Sequence, residues 1–159
     1  MPFKRVLINS IHYWVLFALF NSIELFFFPS EQTYSPATIG ILSALWGLFE
    51  FMNYKCHKIL GGFRKSPKEK SDKEYINVSK ARQIPHGAGF GLVSCANYFW
   101  ESLTWITYTI LTKNYTAALF TIFSVVQMAQ WAIEKHRRYK REFGDSYPKK
   151  RKAMFPFIL

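Results

Sequence analysis

The chain has 159 residues, half of them hydrophobic, with a mean hydropathy of −0.03 and a formal net charge of +11. Those totals would suit a soluble domain, but the charges are segregated: nine of the 21 basic residues fall in 55–82, nine in 134–152, and two at Lys4 and Arg5. The apolar runs between these blocks are long enough for a bilayer core, which takes about 20 residues per helix, so a simple soluble globule is excluded. An all-α, polytopic membrane protein is the expectation.

The first helix is expected over 6–28 and is closed by Pro29. This hydrophobic run of 23 residues exceeds the apolar core of a cleaved signal peptide, so it reads as a retained segment. A short polar loop to Pro36 carries no Lys or Arg. The second helix, 37–60, is apolar through Met52, turns polar from Asn53, and is stopped by Gly61 and Gly62. A basic loop, 63–85, follows. The third helix is expected over 88–112, after the glycines of His86 to Gly91, and the fourth over 117–142. From Glu134 the fourth reads as a basic amphipathic extension, and 143–159 as a basic tail. Four crossings put both termini and 20 of the 21 basic residues on one, cytosolic side, as the positive-inside rule requires. The whole chain is expected to form a single membrane domain.

The aromatics lie inside the apolar runs rather than among the charges, which favours membrane lipids over nucleic acid as the basic blocks' partner. The glycines of 87–91 follow no strand, so they are not a dinucleotide fingerprint. Cys56 and Cys95 lack metal-ligand spacing and read as reduced structural thiols; no metal site is expected. Ionisable residues within membrane helices are costly and mark sites or satisfied pairs, and here they are His12, Glu24, Glu50 and Glu101. Glu24 and Glu50 read as carboxylates that lie near helix ends or take hydrogen bonds from neighbours. Glu101 lies near the middle of its helix, with Asn97 and Trp105 on the same face and Tyr98 beside it. Tyr98 is either a general acid or an interfacial aromatic. Arg64, Lys65, Arg82, Arg151 and Lys152 could meet phosphates or be solvated charges.

Three stretches carry a resemblance: VSCANYFWE, QMAQWAIEKHRRYKREFGDSYP and RKAMFPFIL. Together they resemble the carboxy-terminal region of the steroid 5α-reductase family, most closely its very-long-chain trans-2-enoyl-CoA reductases. The opening MPFKRVLINSIHYW resembles a segment internal to those enzymes, so the family's amino-terminal half is expected to be missing from this chain. The resemblance implies a multi-pass enzyme of the endoplasmic reticulum that uses NADPH to saturate the trans-2 double bond of a very-long-chain enoyl-CoA in fatty-acid elongation. Hydride goes to the β-carbon, and Tyr98 matches the tyrosine that gives a proton to the α-carbon. Asn97 and Glu101 match nicotinamide-side positions, Asn53 and Arg64 match nucleotide-holding positions, and His136, Tyr139, Arg151 and Lys152 match the tail motif near the cofactor. Other elongation enzymes would be partners. The alternatives are a steroid or polyprenol enone reductase of the same family, or a truncated, non-catalytic membrane protein acting through interactions.

Overall fold

A computed structural model describes residues 6–7, 10–28, 33–63 and 83–159; the expected basic loop lies almost wholly outside them. Among the described residues the chain is helical, without strands. A π-helical stretch, Ile11–Leu19, runs into α1, Phe20–Phe27; α2 is Pro36–Gly62, α3 Ala96–Thr112 and α4 Tyr115–Phe143, with a short 3-10 turn at Gly144–Ser146. Nothing in the sequence of Ile11–Leu19, neither Pro nor Gly, accounts for its widened turns. The expected single domain divides into two compact units, Met1–Phe49 with Glu101–Gln127, and Glu50–Trp100 with Met128–Leu159.

The first unit is held by aromatic packing and by capping. Phe17 lies edge-on to Trp105 at 4.9 Å, and Phe120 sits 4.7 Å from Phe17 and 4.8 Å from Trp105. Around these rings the buried side chains include hydroxyls and an amide: Thr121 meets Thr109 at 2.9 Å, His12 meets Ser124 at 3.2 Å, and Asn21 Nδ2 donates to the Tyr108 hydroxyl at 3.2 Å. The outer surface carries the large apolar groups, including Trp14, Phe26, Phe27, Phe28, Ile122 and Phe123. Small polar groups packed inside and bulky apolar groups outside are what helices surrounded by lipid require. By length and composition, one helix among the described residues, 115–146, can cross a membrane, and 11–27 is a shorter apolar helix.

Helix ends in this unit are closed by side chains. Ser35 caps α2, its Oγ accepting from the Thr38 N–H at 3.2 Å, with Pro36 in the first turn where its missing N–H costs nothing. Lys113 takes φ of 52° and ends α3 in the left-handed region, its N–H bonded to the Thr109 carbonyl at 2.9 Å. The next residue opens α4: Asn114 Oδ1 accepts from the Ala117 N–H at 2.9 Å. Glu24 supplies the rest. Its carboxylate accepts from the Tyr115 and Thr116 N–H groups, each at 2.7 Å, and from the Thr116 hydroxyl. The expectation of a helix-end carboxylate at Glu24 holds, and the positive end of the α4 dipole is the reason.

The second unit departs from the expected boundaries. Helix α3 begins at Ala96 rather than at Ala88, because Gly87, Ala88 and Gly89 all take positive φ, at 79°, 46° and 94°, and cannot continue a helix. The Ala88 carbonyl is held in that turn by Trp100 Nε1 at 2.9 Å and the Cys56 thiol at 3.2 Å. A Cβ on Gly89 would meet Trp100 Nε1 at 3.1 Å and the Ala96 Cβ at 3.3 Å, so close approach as well as φ demands glycine there. Cys56, Phe90, Val93 and Ala96 form the buried core, with Ile59, Leu60, Ala88, Phe99 and Trp100 against it.

The second departure is the tail. Within the basic tail 143–159, Tyr147, Arg151, Ala153 and Met154 are buried. A parallel bridge joins Val93 and Lys152, with Lys152 N–H donating to the Leu92 carbonyl at 3.0 Å. The Ser94 N–H donates to the Lys152 carbonyl at 2.8 Å, and the Cys95 N–H to the Ala153 carbonyl at 3.0 Å. The last residues turn back, Met154 and Phe155 N–H donating to the Leu159 carbonyl at 2.8 and 2.9 Å.

Replacing Glu24 with Ala leaves the first N–H groups of α4 without their acceptor and should cost roughly 1 kcal/mol, with Glu24→Gln costing less. Equilibrium unfolding in mixed micelles measures both.

Candidate functional site

Of the nine positions singled out from sequence, the second unit holds Asn53, Asn97, Tyr98, His136, Tyr139, Arg151 and Lys152, and Glu101 belongs to the first unit. Arg64 lies outside the described residues. The core sets the first two: Asn53 precedes buried Cys56 by one turn of α2, and Asn97 follows buried Ala96 at the start of α3. The Val93–Lys152 bridge sets Arg151 and Lys152.

Among the described residues these positions leave a distinctive set of buried polar atoms without a hydrogen-bond partner: Asn53 Oδ1, Asn97 Oδ1, and Arg151 Nε and Nη1. Arg151 is 3% exposed and Asn97 5%. The one aromatic contact of the Arg151 guanidinium is with the Tyr147 ring, 5.4 Å away. A buried guanidinium with two of its nitrogens unpartnered is costly to the fold, and an unpaired buried amide oxygen costs about 1–3 kcal/mol. Such atoms call for a complementary ligand. Two acceptors and a cationic pair of donors suit a molecule that presents both N–H or O–H groups and anionic oxygens. Lys152 is exposed and adds a second cation beside Arg151.

His136 is fixed by residues that sequence reasoning did not single out. Ser94 Oγ lies 2.5 Å from His136 Nδ1, 2.5 Å from the Tyr147 hydroxyl and 3.0 Å from the Lys152 carbonyl. A serine hydroxyl has one proton and the carbonyl can only accept, so one assignment satisfies every partner. Ser94 donates to Lys152, while Tyr147 and the protonated Nδ1 of His136 donate to Ser94. That leaves Nε2 as the free lone pair of neutral His136. His136 lies beyond Ile133, where the apolar part of α4 gives way to charge. Burial lowers its pKa, and Lys140, Arg151 and Lys152 lower it further. Tyr139 is buried against Tyr147 and Phe143, with ring centroids 5.8 Å from each, so it packs the wall behind His136.

Tyr98 is half-buried with its ring 6.3 Å from that of Trp131. In the first unit, the Glu101 carboxylate takes a hydrogen bond from the Tyr13 hydroxyl. Tyr13 carried no local signal, since its partner is remote in sequence. Along α3, Glu101 stands three residues after Tyr98 and four after Asn97, the spacings at which helical side chains are neighbours. Cys95 is buried ahead of α3 and its thiol is pushed up to about 11, so it is protonated and inert near neutrality. Among the described residues no His, Cys, Asp or Glu cluster could hold a metal.

The pattern of 3-oxo-5-alpha-steroid 4-dehydrogenase matches residues 1–159. The chain belongs to this family. The very-long-chain enoyl-CoA reductase of Dictyostelium discoideum is 37% identical over 162 residues, covering 100% of this chain and 49% of that protein. A trans-2,3-enoyl-CoA reductase-like protein of Homo sapiens is 44% identical over 70 residues, 44% of this chain and 19% of that protein. A steroid 5-alpha-reductase of Solanum lycopersicum is 34% identical over 76 residues, 48% of this chain and 30% of that protein. The chain spans about half the length of the relatives that it matches from end to end.

The Ser94 node yields a pH dependence. His136 is lowered below its unfolded value of 6.5, so the unfolded chain binds the extra proton first. Its contribution to stability is complete above pH 6.5 and is lost as pH falls through the folded value. Unfolding midpoints at pH 7.5 and 5.5 should differ more in the wild type than in His136→Gln. Ser94→Ala, which strips the acceptor from two buried donors, should cost ~1–3 kcal/mol.

Proposed function

We propose that this chain carries the cofactor-binding and proton-donating half of a membrane enoyl-CoA reductase that uses NADPH. The observation that carries the reading is the set of unpartnered buried atoms on Asn53, Asn97 and Arg151, each at a position that the family resemblance assigns to the cofactor. When bound, NADPH supplies a hydride to the β-carbon of the conjugated thioester. The Asn97 oxygen would accept an N–H of the nicotinamide carboxamide, with Glu101 nearby along α3. Asn53 and Arg64 would hold the nucleotide. Arg151, Lys152, His136 and Tyr139 line the phosphate side, where Arg151 gains the anion that its burial demands.

The Tyr98 phenol delivers the proton to the α-carbon. Its half-burial against Trp131 limits water around the transfer. The substrate is a very-long-chain trans-2-enoyl-CoA, and the pathway is fatty-acid elongation, whose other enzymes are the natural neighbours. The name and identity of the Dictyostelium relative support this substrate class. We read the protein as a multi-pass component of the endoplasmic reticulum membrane with four crossings and both termini cytosolic. The apolar exterior of the first unit and the segregation of basic residues support that topology.

A second reading, reduction of a steroid or polyprenol enone, draws on the match to the tomato steroid reductase. A third is a non-catalytic membrane protein of the same family that acts through interactions. NADPH oxidation by the purified chain separates the three: turnover with a long-chain trans-2-enoyl-CoA supports the first, turnover with an enone steroid alone the second, and well-folded protein without NADPH binding the third. Tyr98→Phe should lower kcat with enoyl-CoA by ~10²-fold or more and leave NADPH binding unchanged. Unaltered turnover would remove Tyr98 from the mechanism.

A further inference from the structure

The outer face of α4 beyond its apolar part is left without a task by this reading. From Glu134 the helix is two-sided: His136 and buried Tyr139 point inward, while Arg137, Arg138, Lys140 and Arg141 are exposed. These four cations and Glu134, all carried by α4, line an open surface depression. Four positive charges against one negative leave a local excess of three, and the spacings 137/141 and 138/141 set arginines against each other across a helical turn. Among the described residues none of these cations forms an ion pair; the pair that does form, Lys149 with Asp145 at 3.3 Å, lies further along. Basic residues near a helix carboxy terminus also complement its dipole, but that needs no cluster of four. A close group of arginines suits a compact polyanion, which guanidinium groups can grip in bidentate fashion.

We propose that this cationic face of α4 binds the phosphates of the nucleotide end of the coenzyme A thioester. The inference rests on the enoyl-CoA reading and deepens it: NADPH is served by the inward residues Arg151, Lys152 and His136, and the second phosphate-bearing molecule by the outward arginines of the same helix. The two molecules then share no cation. A long pantetheine arm separates the nucleotide of an acyl-CoA from its thioester, so the phosphate site need not border Tyr98. The apolar part of α4 ends at Ile133, directly before the cationic face. A water-borne nucleotide and a lipid-borne acyl chain therefore each find their own medium along a single helix.

The test uses the full chain in detergent, the variant Arg137→Gln/Arg138→Gln/Arg141→Gln, and adenosine 3′,5′-bisphosphate as probe. The substitutions are on exposed side chains, so folding is preserved, and unaltered NADPH binding verifies it. The wild type should bind the bisphosphate and the variant should lose at least ~10-fold in affinity. The KM for an enoyl-CoA should rise in the variant, while the KM for the same enoyl group on pantetheine alone should not change. Bisphosphate affinity that is absent in the wild type, or unchanged in the variant, overturns the proposal. So does a variant that keeps the bisphosphate but no longer associates with phosphatidylserine vesicles, a result that gives the face to lipid headgroups. If neither protein turns over enoyl-CoA yet bisphosphate binding still depends on the arginines, the reductase reading fails and the phosphate site stands.

Discussion

The backbone pairing of Leu92–Cys95 with Lys152–Ala153 is the constraint on which the second unit depends. It involves three hydrogen bonds, yet it fixes where the end of the chain goes. With Lys152 locked beside Val93, its carbonyl becomes the acceptor for Ser94 and its predecessor Arg151 is carried into the interior. Ser94 in turn orients His136 and Tyr147, and Tyr147 offers its ring to Arg151. Gly89 and the strained Ala88 turn bring the chain to that pairing, held by Trp100 and Cys56. Loss of the pairing would return Arg151 to water and leave Ser94, His136 and Tyr147 to find other partners.

This arrangement works against stability. A guanidinium buried with two nitrogens unpartnered, and amide oxygens of Asn53 and Asn97 in the same condition, cost free energy that a structural core would avoid by using apolar residues. The surrounding unit is otherwise well satisfied: even the two cysteines are buried, one of them with its thiol on the Ala88 carbonyl. Asn21 Oδ1 of the first unit is also unpartnered, but in the second unit the unmet polarity among the described residues falls at Asn53, Asn97 and Arg151, the positions proposed to hold the cofactor.

Much of this was legible in the sequence, and the reasons for the rest are physical. Apolar runs between charge blocks located all the long helices, and Pro36 and Gly62 sit close to where the expected ends of α2 fall. Glu24 read as a carboxylate near a helix end, but that it caps the remote start of α4 did not follow from the sequence. The start of α3 did not either, because the left-handed turn at 87–89 includes an alanine, held there by a tryptophan and a thiol, between two glycines. Nor did the fate of the tail. In the sequence Arg151 and Lys152 alike read as phosphate contacts or solvated charges, but a bridge to a remote segment buries Arg151 and leaves its neighbours exposed. Periodicity gave a polar face on α3; family resemblance gave that face its roles; only the fold reveals that Glu101 already has a phenol on it, from Tyr13.

The most direct test of the account is the stability of Arg151→Met with and without NADPH. Removing a buried unpaired charge in favour of an apolar side chain of similar length should leave the ligand-free protein as stable as the wild type or more so. NADPH at ~100 times its Kd should stabilise the wild type by about 2.7 kcal/mol and the variant far less. A variant that unfolds more readily without ligand, yet is stabilised by NADPH as strongly as the wild type, would show that Arg151 serves the fold and not the cofactor.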